Sequence, residues 1–337
     1  MKIAFVGKGG SGKTTLASLF IGYLAGAARP VLAIDADINQ HLAVALGASE
    51  EEALALPTLG ENMALIKDYL RGENPRIADA AAMIKTTPPG SGSRLVTPLE
   101  DNPIARACFS DIGDVRLAVT GQFDEDDLGV ACYHSKVGAA ELLLNHMIDD
   151  VGEYVVMDMT AGADAFASGL FTRFDVTFLV CEPTLRSVGV YRQYADYARD
   201  FGVRLAVVGN KVSDADDVEF LREQAGDDLL GWIESSRHVR AAERGTARPI
   251  TELEPHNLET LSVMLSDVDS VRRDWPRYQR QGVEFHLRNA RAWGNARTGE
   301  DLAAQVDWSF IPLPPSRDQG VPESPRAVSL DGALPPR

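Results

Sequence analysis

"GKGGSGKTT", residues 7–15, follows directly on the apolar run KIAFV (residues 2–6) and decides the fold of the chain. Residues 7–14 satisfy the pattern G-x-x-x-x-G-K-[ST], which stands where it must, after a predicted strand and before a predicted helix. The glycines let backbone N–H groups converge on phosphate oxygens, and the start of the helix adds its positive end. The sequence therefore predicts a phosphate-binding loop made of Gly7, Gly9, Gly10, Ser11, Gly12, Lys13, Thr14 and Thr15.

Two loop residues and the acidic ends of two later strands predict the reaction. Lys13 is expected to reach the β- and γ-phosphates, and the Thr14 hydroxyl is expected to ligate Mg²⁺. Asp35 and Asp37 follow the second apolar run of the chain, and Asp158 ends a later one. Carboxylates at the carboxyl edge of a parallel sheet face the ligand crevice, where one can hold Mg²⁺ through water and another can orient the attacking water. These residues predict a Mg²⁺-dependent nucleoside triphosphate hydrolase.

The segment VVGNKVSD predicts how the base is recognised. The Asn210 amide can pair with a purine edge, and the stem of Lys211 can pack on the ring. Guanine would need an acceptor carboxylate at position 213, which is Ser213, and Asp214 stands one place too late. The sequence therefore favours ATP, with GTP left as the alternative that Asp214 keeps open.

Seven short apolar runs alternate with helical stretches and predict a doubly wound α/β domain. Most runs are apolar throughout, which is typical of strands covered on both faces. The helical connections allow right-handed crossovers, so we expect a mostly parallel sheet of about seven strands with helices on both faces. The predicted strands are residues 2–6, 31–35, 115–119, 154–158, 176–181, 204–210 and 229–233.

Composition along the chain predicts its organisation. Residues 1–268 are predicted to form the ATPase domain, with a helix-rich insertion at 49–114 whose tip, TTPPGSGS (residues 86–93), is expected to be flexible. Residues 269–311 are rich in arginine and aromatic residues and predict a helical extension. Residues 312–337 hold seven of the 18 prolines and predict a disordered tail.

Overall composition limits the class of protein. The formal net charge of −16 argues against attraction of the whole surface to nucleic acid or acidic membranes. No run approaches the roughly 20 apolar residues that a transmembrane helix needs, and no secretory signal precedes the first strand. Three cysteines do not make a disulfide framework. A cytoplasmic location is therefore expected.

Lys8 extends the loop to Lys-Gly-Gly-x-Gly-Lys-Thr, which resembles the deviant Walker motif of the nucleotide-dimerising ATPases. These include the nitrogenase iron protein and the septum-positioning and chromosome-partition ATPases. The resemblance implies that Lys8 reaches the phosphates of a partner subunit in a homodimer closed by nucleotide. It also implies that Asp37 activates the water and that Asp158 connects to Mg²⁺.

Over about residues 1–268 the chain further resembles the carbon monoxide dehydrogenase accessory ATPases, which help to load nickel into a client enzyme. The likeness rests on MDMTAGAD, CEPTLRSV, GNKV and LLGWIESSRHVRAAERG. In that family a Cys-x-Cys pair binds metal across the dimer, and the matching pair here is Cys132-Tyr-His134. Two cysteines and two histidines, one pair from each subunit, would suit Zn²⁺ or Ni²⁺.

The arginine-rich segment, residues 272–297, allows two interpretations. It can dock an acidic partner, a nucleic acid or a membrane surface. It can also be an amphipathic helix, beginning near Pro276, that packs its aromatic residues on the body and leaves its arginines in solvent. The second interpretation is favoured.

We therefore expect an ATP-driven dimeric switch that couples nucleotide state to metal handling or to maturation of a client metalloenzyme. The alternative is a positioning or partition ATPase whose ATP-bound dimer binds a partner, DNA or a membrane surface. A third candidate, an electron-donating iron–sulfur ATPase, usually needs four cluster thiolates, and Cys132 supplies only two per dimer unless Cys108 or His134 joins.

Overall fold

The computed structural model describes residues 1–37, 39–121, 133–162, 166, 168–246 and 248–314, with the backbone alone for residues 133–136. One sheet runs through the described residues, and all seven predicted strands are present in it. The strands are β1 (Lys2–Gly7), β2 (Val31–Ala36), β3 (Phe109–Ile112), β4 (Val115–Val119), β5 (Tyr154–Met159), β6 (Val176–Cys181), β7 (Arg204–Val212) and β8 (Leu229–Glu234).

The strand order is β3-β4-β2-β5-β1-β6-β7-β8, and β1, which leads into the phosphate-binding loop, lies inside the sheet. The neighbouring strands pair in parallel, except that β3 pairs antiparallel with β4. The sequence did not predict β3, because this edge strand is only four residues long and is partly exposed along its length. The carboxyl ends of β2, β5, β1 and β6 therefore lie side by side at one edge.

Helices cover both faces of the sheet, which confirms the doubly wound α/β prediction. They are α1 (Lys13–Gly26), α2 (Leu42–Ala45), α3 (Glu50–Leu54), α4 (Met63–Arg71), α5 (Pro103–Cys108), α6 (Tyr133–His146), α7 (Leu185–Ala198), α8 (Ala215–Ala225), α9 (Arg237–Ala242), α10 (Pro255–Ser270), α11 (Trp275–Asn289) and α12 (Asn295–Thr298).

The core has two layers, one on each face of the sheet. Ile3 and Phe5 of β1 belong to the layer beneath α1 and α10, whereas Ala4 and Val6 belong to the layer beneath α6 and α7. This division follows from the alternation of side chains along a strand. Because both faces are covered, every residue of β1 is buried, and the strand reads as one apolar run apart from Lys2.

The insertion tip is packed rather than open, so the expectation of a flexible tip at residues 86–93 is wrong. Residues 86–90 are buried, and the Pro89 carbonyl accepts a hydrogen bond of 3.0 Å from the Gln279 amide of α11. The Asp307 carboxylate accepts hydrogen bonds from the backbone N–H and the hydroxyl of Ser91, at 3.1 and 2.7 Å. These partners lie more than 180 residues away in sequence, so local composition could not reveal them.

The arginine-rich segment forms α11, whose apolar face packs on the body of the protein. Phe285 lies against Phe171 and Phe201, with ring centroids 5.5 and 5.4 Å apart. A Cβ atom at Gly169, where φ is +105°, would lie 2.2 Å from the Phe285 ring. The Arg173 guanidinium stacks 4.0 Å from the centroid of the Tyr278 ring. The extension is thus built into the core beside the segment that precedes β6.

We expect Phe285→Ala to lower the free energy of unfolding by about 3–5 kcal/mol, because the change leaves a cavity beside the rings of Phe171 and Phe201. Urea denaturation followed by circular dichroism measures the effect. Trp308→Ala is the matched control, since this side chain is 74% exposed and its loss is expected to cost less than about 0.5 kcal/mol. Equal losses in the two variants would contradict the packing of α11 described here.

Candidate nucleotide site

The phosphate-binding loop turns sharply between β1 and α1, and its glycines permit the turn. Gly10 and Gly12 adopt φ values of +81° and +90°, which an L side chain disfavours. A Cβ atom at Gly7 would lie 2.5 Å from the Val180 carbonyl oxygen of the neighbouring strand β6. Inside the loop the Ser11 N–H donates to the Lys8 carbonyl at 3.1 Å. The loop therefore has the compact form in which successive N–H groups can surround a phosphate.

Lys13 and Thr14 begin α1 and face the end of β5. Lys13 is buried, and its charge lowers the pKa of Asp158, whereas burial raises that pKa more strongly. The Thr14 hydroxyl donates to Asp158 Oδ2 at 2.5 Å. The structure therefore brings together three of the residues that the sequence proposed for phosphate and Mg²⁺.

Asp158 is fully buried, yet one of its carboxylate oxygens, Oδ1, has no hydrogen-bond partner. It lies opposite Asp35 in the pairing of β2 with β5. Burial and the Asp35 charge together hold the pKa of Asp158 well above its usual value. A buried, unpaired oxygen beside a second carboxylate is an arrangement that a hydrated Mg²⁺ ion would relieve, so these residues fit that ion.

Asp35 has a role that the sequence did not predict, because it fixes the start of the segment after β2. Its two oxygens accept hydrogen bonds from the backbone N–H groups of Asp37, at 3.0 Å, and Leu42, at 2.9 Å. Burial raises the pKa of Asp35 to about 7, although these two hydrogen bonds oppose the shift. Asp35 therefore positions the backbone on which the predicted water-activating residue lies.

Asp37 itself is half-buried just beyond the end of β2. Its Oδ1 accepts hydrogen bonds of 3.0 Å from the backbone N–H and the side-chain amide of Asn39. Its charge helps to raise the pKa of both Asp35 and Asp158, which places all three carboxylates in one electrostatic environment. The assignment of Asp37 to water activation stays a prediction.

Asn210 and Lys211, predicted to recognise the base, hold the loop from the side in this structure. The Asn210 amide donates to the Ser11 carbonyl, and Lys211 Nζ donates to the Gly10 carbonyl, both at 2.7 Å. Asp214, the residue that kept GTP open, caps α8 by accepting a hydrogen bond of 3.1 Å from the Asp217 N–H. The predicted contacts of Asn210 and Lys211 with the base stay predictions.

Lys8 contacts an acidic residue, Glu182, that the sequence did not single out. Its ammonium lies 3.7 Å from Glu182 Oε2, and the other oxygen, Oε1, accepts a hydrogen bond of 2.7 Å from Lys211. This hydrogen bond, with the charges of both lysines, holds the pKa of Glu182 below its usual value. Glu182 lies at the carboxyl end of β6, beside β1. An acidic residue directly after a predicted strand is the sequence signal that could have identified it.

The predicted transition-metal pair lies largely outside what the structure describes. Cys132 lies outside the described residues, and His134 is described only by its helical backbone at the start of α6. Elsewhere in the described residues, no three His, Cys, Asp or Glu side chains form a group that could hold a metal ion. The two described cysteines, Cys108 and Cys181, are buried, and burial raises their thiol pKa values to about 11 and about 12.

Residues 3–250 match the CobQ/CobB/MinD/ParA nucleotide binding domain. The chain belongs to this family. It is 30% identical to the carbon monoxide dehydrogenase accessory protein CooC of Rhodospirillum rubrum over 248 residues, which are 72% of this chain and 87% of that protein. It is 28% identical to an ATP-binding protein of Methanocaldococcus jannaschii over 72% of this chain and 88% of that one.

Solved structures of this family have the same fold. The septum site-determining protein MinD of Pyrococcus horikoshii, complexed with Mg-ADP, superposes with a TM-score of 0.52 at 16% identity, covering 80% of this chain and 96% of that one. The cell division ATPase MinD of Pyrococcus furiosus gives a TM-score of 0.51 at 15% identity, with coverage of 79% and 98%. Together with the family match, this establishes an ATP-binding P-loop ATPase.

The helices of the extension lie outside the family match. The family match ends at residue 250, so α10, α11 and α12 lie beyond it. Within the described ranges, none of the helices has both the length and the apolar character needed to cross a membrane.

We expect Asp158→Asn to stabilise the nucleotide-free, Mg²⁺-free protein at pH 8. A raised pKa means that the folded state holds the proton more tightly than the unfolded state, so ionisation above the usual carboxyl pKa costs stability. The substitution removes that cost, by about 1–3 kcal/mol at pH 8, and the gain should shrink toward pH 4, where the unfolded state also takes up the proton in part.

Urea denaturation at pH 4, 6 and 8 measures this trend in wild type and variant. Asp227→Asn, at an exposed position, serves as the control, and the difference between its free energy of unfolding and that of wild type should change little with pH. An Asp158→Asn protein that is less stable than wild type at pH 8 would show that the buried carboxylate is well satisfied.

Proposed function

We propose that this chain is a Mg²⁺-dependent ATPase whose nucleotide state closes and opens a homodimer, and that this cycle serves metal handling for a client metalloenzyme. The observation that carries the hydrolytic part is the unpaired Asp158 Oδ1 beside Thr14, at the start of the helix that follows the phosphate-binding loop. The likeness to the CooC accessory protein over most of that protein's length supports the metal part.

The residues of the site divide the work of hydrolysis. The loop N–H groups and Lys13 bind the phosphates, and Thr14 and Asp158 would hold Mg²⁺, the second through water. When bound, Mg²⁺ neutralises charge on the β- and γ-phosphate oxygens. Asp37 orients the attacking water and Asp35 keeps Asp37 in place through its backbone N–H. Asn210 and Lys211, already beside the loop, would contact the adenine from there.

Lys8 supplies the part of the cycle that needs a second subunit. Its side chain is 38% exposed and contacts Glu182 and the Gly9 carbonyl. Such a lysine is free to reach the phosphates of a partner subunit, where it would stabilise charge in the transition state as an arginine finger does. Closure of the dimer would also exclude water around the γ-phosphate.

The metal part of the proposal places Cys132 and His134 of two subunits around one ion, which is the cargo of the cycle. Thiolate and imidazole ligands suit Zn²⁺ and Ni²⁺. Nucleotide-driven opening and closing would change the distance between the two pairs, and so the affinity for the ion. The client enzyme is a metalloprotein that receives it.

Lys8→Ala is expected to abolish ATP-dependent dimerisation while changing ATP affinity by less than about tenfold, because an exposed ion pair contributes little to binding in one subunit. Sedimentation velocity with a non-hydrolysable ATP analogue measures the dimer, and fluorescent nucleotide titration measures binding. Lys13→Ala is the contrasting variant and should lose nucleotide binding itself. A Lys8→Ala protein that dimerises like wild type would remove the role in trans.

A positioning or partition function is the second candidate, and one observation favours it. The arginine-rich segment carries five exposed arginines, although its aromatic residues are packed or half-buried. These arginines, which would give salt-sensitive binding to DNA or an anionic surface, are Arg272, Arg280, Arg288, Arg291 and Arg297.

Elemental analysis of untagged protein tests the metal part, with wild type compared with Cys132→Ala/His134→Ala. We expect about half an equivalent of zinc or nickel per chain in wild type, since one four-coordinate ion bridges two subunits, and loss of the metal in the variant. Cys108→Ala is the control, because this thiol is buried in the core. No metal in wild type, even after loading under reducing conditions, would overturn metal handling and favour the second candidate.

A further inference from the structure

Glu182 stands between two lysines that face the nucleotide site from different sides. Its Oε1 accepts a hydrogen bond of 2.7 Å from Lys211, and its Oε2 lies 3.7 Å from the ammonium of Lys8. The carboxylate is itself only 19% exposed, and the Ser187 hydroxyl fixes its backbone by accepting a hydrogen bond of 3.0 Å from the Glu182 N–H. Glu182 is therefore a well-anchored acceptor beside the ammonium of Lys8.

The two contacts of Glu182 differ in what holds them. The Lys211 ammonium has two short hydrogen bonds, because besides its bond to Glu182 it donates to the Gly10 carbonyl at 2.7 Å. Its backbone adopts φ +59°, a left-handed conformation that is uncommon for a residue with a side chain. Within the part of the chain that the structure describes, Lys8 has the longer contact with Glu182 and a hydrogen bond of 3.4 Å to the carbonyl of the adjacent residue, Gly9. Of the two lysines, Lys8 is the one that can leave.

The contact of Lys8 with Glu182 competes with the role that the proposed function gives to Lys8. One ammonium cannot stay beside a carboxylate of its own subunit and also lie against the phosphates of another. When Lys8 leaves, Glu182 keeps its ion pair with Lys211, so departure strands no negative charge. Removal of Lys8 to the partner is therefore electrostatically inexpensive, and its return after hydrolysis is favourable.

We propose that Glu182 is a positioning residue that holds Lys8 within its own subunit before nucleotide arrives, and that ATP-dependent dimerisation exchanges this ion pair for one with the partner's phosphates. This inference rests on the proposed function, because it regulates the same dimerisation. It makes Glu182 a brake on closure: each dimer breaks two such ion pairs, and the γ-phosphate is the more highly charged competitor. ADP, which lacks that group, competes less well and leaves Lys8 with Glu182.

The test is the dissociation constant of the dimer formed with Mg²⁺ and the ATP analogue AMPPNP, measured by sedimentation. Glu182→Gln keeps the shape of the side chain and removes its charge, and it should tighten the dimer by about 2- to 30-fold, since two solvent-accessible ion pairs need no longer be broken. In a Lys8→Met background, which the proposed function leaves monomeric with AMPPNP, the same substitution should not restore a dimer. Glu223→Gln, at an exposed position on α8, is the control for the loss of one negative charge.

A second readout reports the ion pair directly in nucleotide-free monomer. Acylation of lysines, followed by mass spectrometry, should proceed faster at Lys8 in Glu182→Gln than in wild type, because the Lys8 side chain is no longer held against a carboxylate. Lys67 on α4 is the internal reference, and its rate should not change.

Two outcomes would overturn the inference, and they differ from failure of the proposed function. A normal wild-type dimer whose dissociation constant does not change in Glu182→Gln would overturn it, as would a dimer that Glu182→Gln restores in the Lys8→Met background. Wild-type protein that stays monomeric with AMPPNP would overturn the dimeric switch itself, and with it any braking role for Glu182, whatever the acylation shows.

Discussion

The nucleotide site depends on one unfavourable arrangement, the burial of two neighbouring carboxylates at the ends of β2 and β5. Asp35 and Asp158 lie opposite each other in the sheet, and Asp158 retains an unpaired oxygen. A buried, unpaired charged group costs several kcal/mol, so the surrounding fold must offset it. The offset comes from the two apolar layers that cover the sheet on both faces. Stability elsewhere in the protein thus permits a site that is electrostatically unfavourable until a cation and a nucleotide bind.

The local motifs were predictable from the sequence because each depends on residues close together in the chain. The glycines at positions 7, 10 and 12, the helix that begins at Lys13 and the acidic ends of β2 and β5 all follow from short patterns. Glu182 was missed because its significance comes from the sheet order, which places β6 beside β1. The buried tip at residues 86–90 was missed for the same reason, since its partners lie in α11 and beyond.

The extension after residue 268 contributes side chains to the core of the ATPase domain. Phe285 packs against Gly169 and Phe171, just before β6, and the His286 ring contacts the insertion tip at Thr86 and the carbonyl of Leu302. Burial lowers the pKa of His286, so the ring is neutral at physiological pH and acts as a structural link. The aromatic residues of the arginine-rich segment are therefore explained by packing, and its exposed arginines are not.

A buried hydrogen bond also ties the segment after β5 to α6, the helix that begins directly after Cys132. Asp158 is fixed to Thr14 at the loop, and Ser168, ten residues later in the sequence, donates a hydrogen bond of 2.7 Å to Glu141 of α6. Burial raises the pKa of Glu141, and the charges of Lys85 and Arg173 oppose that shift. Because α6 begins at Tyr133, directly after Cys132, a displacement of the segment after Asp158 would act on that helix through a buried hydrogen bond.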